Sequence, residues 1–198
     1  MDSREGLDMY TKKAHMNVAL FKALFGNHAD PMLKEFEIPN DRNGKQMLAI
    51  SALTDLPMTA VHMVNVADEC LNRNMNITNL VNDKLGCTSV STPGIVGQTL
   101  DLYTVDLTIV RDKDSLYVTM PPYLALFGMN SGIAFCTNHL AAPVQQGTPV
   151  SHMRRELLRK YTIEDALAYL IKTPKSTSVN FLIADADRTI DVEATPAK

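Results

Sequence analysis

Residues 86–101 read Gly86-Cys87-Thr88-Ser89-Val90-Ser91-Thr92-Pro93-Gly94-Ile95-Val96-Gly97-Gln98-Thr99-Leu100-Asp101, and here the chain changes character. Helical spacing before this stretch gives way to short β-branched runs broken by turn residues. Thr88–Ser91 and Gly94–Leu100 have the length and composition of two strands, turned at Thr92-Pro93-Gly94. β-branched side chains are stiff at χ1 and pack well on a pleated surface, while Pro and Gly supply the turn angles. Further on, Tyr103–Val110 and Ser115–Met120 read as a second hairpin around Arg111-Asp112-Lys113-Asp114, and Ile133–Thr137 is another short apolar run. Residues 149–172 return to helical character, with Pro149 near a first turn and Thr162-Ile163-Glu164-Asp165 opening a second helix. Val179–Ala184 and Thr189–Glu193, joined by Asp185-Ala186-Asp187-Arg188, close the pattern as a final hairpin.

On the N-terminal side, residues 9 to about 74 read as helical. Met16, Ala19, Leu20, Leu24 and Phe25 keep the three/four spacing of an amphipathic helix, stopped at Gly26-Asn27. A second apolar stretch runs from Met47 to Leu53. Asp55 is placed to cap a third helix, with Pro57 in its first turn and Val61, Val64, Val66, Ala67 and Leu71 along it. From Leu71 to Asp83 the Asn-rich sequence, including Asn76-Ile77-Thr78, reads as a polar connector. Helices, strands, helices, then strands in that order predict an α+β fold with layered packing.

The chain has 198 residues, 45% hydrophobic and 21% charged, enough to bury a core. A formal net charge of −3 disfavours nucleic acid as a partner, and 6% aromatic content without Trp disfavours a stacking platform for single strands. No apolar run reaches the length of a membrane span, and the N-terminus has no secretory apolar core. Three cysteines, Cys70, Cys87 and Cys136, cannot all pair within one chain. A soluble, intracellular, cytoplasmic protein is therefore expected, with no membrane and no nucleic-acid partner.

Cys87 stands out chemically. Gly86 before it frees the backbone and removes a side chain from the preceding carbonyl. A thiol beside such a peptide can attack that carbonyl and rearrange it to a thioester, whose hydrolysis leaves Cys87 as a new N-terminus. Its α-amine, with an ordinary pKa of about 8, can then act as base to its own thiol. The competing reading is a buried thiol at a strand start. Cys136-Thr137-Asn138-His139 resembles half a metal site, but partners at ligand spacing are missing. His15, His28, His62 and His152 read as surface or helix-face residues. Met153-Arg154-Arg155-Glu156, with Arg159-Lys160, reads as a solvated basic helix face. No Gly-rich loop follows a strand in the manner of a nucleotide fold, and no cofactor or metal is expected.

Several motifs occur in a telling order: Gly86-Cys87-Thr88-Ser89, Gly97-Gln98-Thr99-Leu100-Asp101, Gly128-Met129-Asn130, Gly147-Thr148-Pro149, Arg154-Arg155-Glu156-Leu157-Leu158, Glu164-Asp165-Ala166-Leu167 and Ile190-Asp191-Val192-Glu193-Ala194-Thr195-Pro196. Together they resemble the isopenicillin N acyltransferase (acyl-CoA:6-aminopenicillanic acid acyltransferase) family of autoproteolytic N-terminal-nucleophile (Ntn) hydrolases. The resemblance is firm over residues 84–196 and loose over the first 80. It implies four αββα layers, self-cleavage between Gly86 and Cys87, and acyl-transfer or amide chemistry at the Cys87 thiol. It makes residues 1–86 a helical pro-segment and 87–198 the nucleophile-bearing core. Asp101 matches the acidic residue near the new amine, which it would orient by hydrogen bonding. Asn130 matches the Asn of a Gly-Met-Asn element near the oxyanion or substrate, where an amide donor supplies roughly 3 kcal/mol. The other reading of Asp101 and Asn130 is a turn or strand-end residue bonding its own backbone.

The chain departs from the family at three points. Only Ser131 separates Asn130 from Gly132 where two residues are usual, Gln98-Thr99 replaces the commoner Gln-Asn, and Leu102 stands at a frequently aromatic position. Family members also continue beyond the position of Lys198, so an incomplete two-sheet core is expected, with an uncovered apolar face that a homo-oligomer would cover. The expectation is an Ntn-type cysteine acyltransferase or amidohydrolase acting on small amides or acyl thioesters. The alternative is a non-catalytic, truncated homologue that works only by association.

Overall fold

The alternating runs of the second half assemble into antiparallel sheets. In the computed structural model, which describes residues 3–26, 33–73, 86–101 and 106–196, eight strands are formed. β1 (Gly86–Thr92) and β2 (Ile95–Asp101) make a two-stranded sheet; β3 (Thr108–Arg111), β4 (Ser115–Thr119), β5 (Phe127–Asn130), β6 (Ala134–His139), β7 (Val179–Ala184) and β8 (Thr189–Ala194) make a six-stranded one in sequential order. Gly94, at φ +76, takes the left-handed turn position between β1 and β2 that glycine adopts without steric cost. Its N–H donates to the Asp185 carbonyl at 2.8 Å, which fastens the hairpin tip over the β7–β8 turn. The architecture is α+β.

Because side chains alternate along a strand, each face of the large sheet has its own partner. Phe135, Val179, Phe181 and Ile183 point to one side and pack on α5 (Val150–Leu157) and α6 (Ile163–Lys172), against Val150, Met153, Leu157, Ile163 and Leu170. Each such large apolar side chain, once buried, stabilises the fold by roughly 1.5–3 kcal/mol. Thr162 caps α6 by accepting the Asp165 N–H at 3.1 Å. The opposite face carries Cys136, Asn138, Asn180 and Leu182 in register, and the β1–β2 hairpin lies against β6 and β7 there. Beyond the hairpin, Val118 and Phe127 on that face pack against the N-terminal helical core, while Ile109, Leu116 and Met129 are exposed, as are Val90 and Ile95 on the hairpin's outer side.

The N-terminal helices α1 (Ser3–Phe25), α2 (Arg42–Thr54), α3 (Met58–Asn65) and α4 (Ala67–Arg73) gather around residues 120–126, so their core includes Met120, Tyr123, Leu124 and Leu126 from the β4–β5 connection. Asn17 donates to the Pro121 carbonyl at 2.8 Å, and Asn65 holds the same connection by donating to Pro122 and accepting the Leu124 N–H at 2.9 Å. No helix among the described residues is long and apolar enough to cross a membrane.

Several sequence expectations are corrected. The inner stripe of α1 is Ala14, Asn17, Val18, Phe21 and Phe25, whereas Met16 and Leu24 are exposed, because Asn17 turns inward to satisfy Pro121. Asp55 does not begin a helix. It ends α2 in the left-handed region at φ 52, and Pro57 precedes α3. The third helix is divided at Val66 into α3 and α4. β5 is a further strand, formed because β4 and β6 pair with it on both sides. His62 and His152 are buried, as are Arg154 and Arg155. The connector beyond Arg73, with Asn76-Ile77-Thr78, the strand start at Tyr103, Leu102, Asn27 and His28 lie outside the described residues.

Candidate functional site

Of the three thiols, Cys70 and Cys136 are sealed in the interior, and burial pushes both up to about 12. Cys87 is half-buried on β1. The β1–β2 register pairs it with Leu100, which packs on the N-terminal core, and pairs Gly86 with Asp101. The backbone thus brings Asp101 opposite the Gly86–Cys87 peptide.

Cys87 and Ser89 are two residues apart and share a face of β1. That face is the inner one, because the Ser89 hydroxyl donates to Asn138 Oδ1 at 2.8 Å. Asn138 Nδ2 in turn donates to Asn180 Oδ1 at 3.3 Å, and Asn180 Nδ2 to Asp191 Oδ1 at 2.5 Å. A row of amides therefore crosses β6 and β7 beneath the hairpin. Gln98, the cross-strand partner of Ser89, joins it by donating to the Thr137 carbonyl at 2.6 Å and accepting the Thr137 N–H at 3.1 Å.

Asn130 is not part of this group. It follows Met129, whose register partner is Ala134, while Asn138 lies four residues further along β6, about 13 Å away at strand rise. It also points to the helical side of the sheet. Its Nδ2 donates to the carbonyls of Leu158 at 3.1 Å and Lys160 at 2.7 Å, and its Oδ1 accepts the N–H groups of Gly132 at 2.8 Å and Ile133 at 2.9 Å. All its polar capacity is spent closing the β5–β6 turn against the end of α5. The structure thus does not bring Asn130 together with Asn138, and its amide is already engaged in closing this turn. The short spacing to Gly132 fits the role: a Cβ at Gly132 would sit 2.0 Å from the Tyr161 carbonyl oxygen. Asn138 was legible only as part of a metal-like Cys136–His139 string. Its alternation with Cys136 places it on the inner face, but only the hairpin's seating brings it toward Cys87.

Behind the same end of the sheet, α4 inserts two carboxylates. Asp68 accepts from Arg154 at 3.1 Å and from the Tyr123 hydroxyl, with His139 Nδ1 at 3.9 Å. Burial opposes its charge, but Arg154, followed by His139 and Tyr123, outweighs burial and holds the carboxyl well below its usual range. Glu69 accepts the Val150 N–H at 2.9 Å and the Ser176 hydroxyl at 2.6 Å, while its Oε2 is buried with no hydrogen-bond partner. Burial and the adjacent Asp68 charge push it up to about 7. These groups tie the N-terminal helices to the strand-bearing half.

No family model and no curated protein matches the chain.

Proposed function

We propose that the chain is an Ntn-type cysteine acyltransferase or amidohydrolase, built as a precursor and activated by cleavage between Gly86 and Cys87. The observation that carries this reading is the setting of Cys87. It is the one cysteine of the three that is not buried; the residue before it is paired with Asp101, and the face it shares with Ser89 meets Asn138. The two-stranded sheet stacked on a helix-backed six-stranded sheet is compatible with part of an αββα arrangement.

In this account the Cys87 sulfur attacks the Gly86 carbonyl, the C–N bond breaks, and a thioester forms as the Cys87 nitrogen takes a proton. Water then hydrolyses the thioester, giving a Gly86 carboxylate and restoring the Cys87 thiol beside the α-amine that the rearrangement freed. That amine accepts the thiol proton, with Asp101 orienting it. The thiolate attacks a substrate carbonyl, the leaving amine or thiol departs with a proton, and the acyl group rests on Cys87 as a thioester until water or an acceptor amine removes it. Asn138, rather than Asn130, is the amide suited to the developing oxyanion.

The rival reading, a non-catalytic homologue acting by association, is favoured by the exposed apolar side chains of Ile109, Leu116 and Met129. Iodoacetamide separates the two. An activated Cys87 alkylates with a pH midpoint below the ordinary thiol value of about 8.5, whereas a merely accessible one follows that value. A midpoint at or above the ordinary value, in protein whose N-terminus is Cys87, overturns the catalytic reading.

A further inference from the structure

We infer that Gln98 is a positioning residue: its side-chain amide fixes where the β1–β2 hairpin sits on the large sheet, and so where Cys87 stands relative to Asn138. Strand pairing breaks beside this hairpin. β5 and β6 pair at Gly128 with Phe135 and at Met129 with Ala134, and the pairing goes no further. Continued regularly, it would bring residue 126 opposite Thr137. Leu126 instead turns its N–H to the Val118 carbonyl on β4, at 2.9 Å. This leaves a gap in the backbone pairing at the Thr137 N–H and C=O, although the Thr137 hydroxyl still donates to the Leu126 carbonyl at 3.3 Å; a buried backbone polar group without a partner is costly.

Gln98 fills that gap. Its amide carries a donor and an acceptor in the arrangement of a peptide group, and it meets Thr137 as a strand residue would, with one bond each way at 2.6 and 3.1 Å. Two opposed bonds to one residue define a position along β6, which a single hydroxyl contact does not. Ser89, directly across the hairpin from Gln98, then falls on the next residue, Asn138. Cys87 follows two positions along the same face. A slip of the hairpin by one residue along β6 would carry Cys87 about 3.3 Å from its place and turn Ser89 from Asn138 to the backbone of a neighbour. No shorter side chain spans both bonds, and a carboxylate would keep the acceptor while repelling the Thr137 carbonyl.

The catalytic consequence rests on the proposed function; the clamp itself does not. The test uses the full chain with Gln98→Met, which keeps length and removes both bonds, and Gln98→Glu as the second variant. Amide exchange at Thr137 is followed by NMR, alongside the thermal midpoint, the pH midpoint of Cys87 alkylation and the rate of Gly86–Cys87 cleavage. The inference predicts Thr137 exchange at least about tenfold faster in Gln98→Met, with Ile183 unchanged. It predicts cleavage slowed by about 10- to 100-fold, as for a reacting group displaced by an ångström, and an alkylation midpoint shifted upward. Gln98→Glu, retaining the acceptor, keeps more of the Thr137 protection. Unchanged exchange at Thr137 overturns the clamp. Faster exchange with an unmoved alkylation midpoint overturns the positioning role and leaves Gln98 a packing residue. Should the wild-type chain fail to cleave, the proposed function fails, while the exchange and alkylation measurements still decide the role of Gln98.

Discussion

The hydroxyl of Ser89 on β1 donates to the side-chain oxygen of Asn138 on β6 across 2.8 Å, joining the two sheets at the end where Cys87 lies. Asn138 and Asn130 therefore have opposite duties, and substitution separates them. Asn138→Ala is expected to slow cleavage at Gly86–Cys87 by roughly 100-fold, the scale of a lost oxyanion donor, and to cost about 1–2 kcal/mol of stability through the lost bonds to Ser89 and Asn180. Asn130→Ala leaves the carbonyls of Leu158 and Lys160 and two turn N–H groups without their partner. Its expected cost is about 2–4 kcal/mol, with the cleavage rate of the folded fraction retained. Thermal unfolding and a cleavage time course on both variants check the pair.

Among the described residues, Asp68 is the one carboxylate bonded to the Arg154 guanidinium, which is itself buried. Asp68→Ala is expected to cost about 3–5 kcal/mol, because it strands a buried cation. Replacing both, as Asp68→Leu with Arg154→Met, is expected to cost less than Asp68→Ala alone. Urea denaturation of the single and double variants reads the difference.

Glu69 and His152 have pH effects of opposite sign. Glu69 is raised to about 7 by burial and by Asp68, so its contribution is full below the unfolded value near 4.5 and is lost as pH rises to about 7. His152 is depressed to about 4 by burial, so its contribution is present above 6.5 and is lost as pH falls toward 4; His62 is depressed in the same direction. Between pH 4.5 and 6.5 the folded chain holds the proton on Glu69 and the unfolded chain holds it on the histidine, so the two slopes offset. Glu69→Gln is expected to expose a loss of stability toward acid over that window. His152→Gln is expected to expose a loss toward neutral pH. Thermal midpoints at pH 4.5, 5.5, 6.5 and 7.5 for the three proteins test this.

What sequence could reveal was local. Turn residues and β-branched runs mark β1, β2, β4, β7 and β8, and Thr162 marks the start of α6, because these features act within a few residues of themselves. Features set by distant partners were illegible. Asn17 displaces Met16 from the inner face of α1 because its acceptor is Pro121, more than a hundred residues away. Arg154 and Arg155 resemble a solvated basic face until Asp68 and Asp112 arrive to meet them. β5 is only four residues long, with Gly128 inside it, and is a strand because β4 and β6 pair with it on both sides. Cys87 was recognisable from its Gly86 neighbour, and the hairpin register alone pairs Gly86 with Asp101. The choice between Asn130 and Asn138 depends on sheet face and end, which no short motif encodes.

The most direct measurement is the intact mass of the purified full chain, held reduced at neutral pH, beside its Cys87→Ala variant. The account predicts two pieces from the wild type, one ending at Gly86 and one beginning at Cys87, and an uncut chain from the variant. A wild-type chain that stays whole, or a variant cut at the same bond, would contradict it.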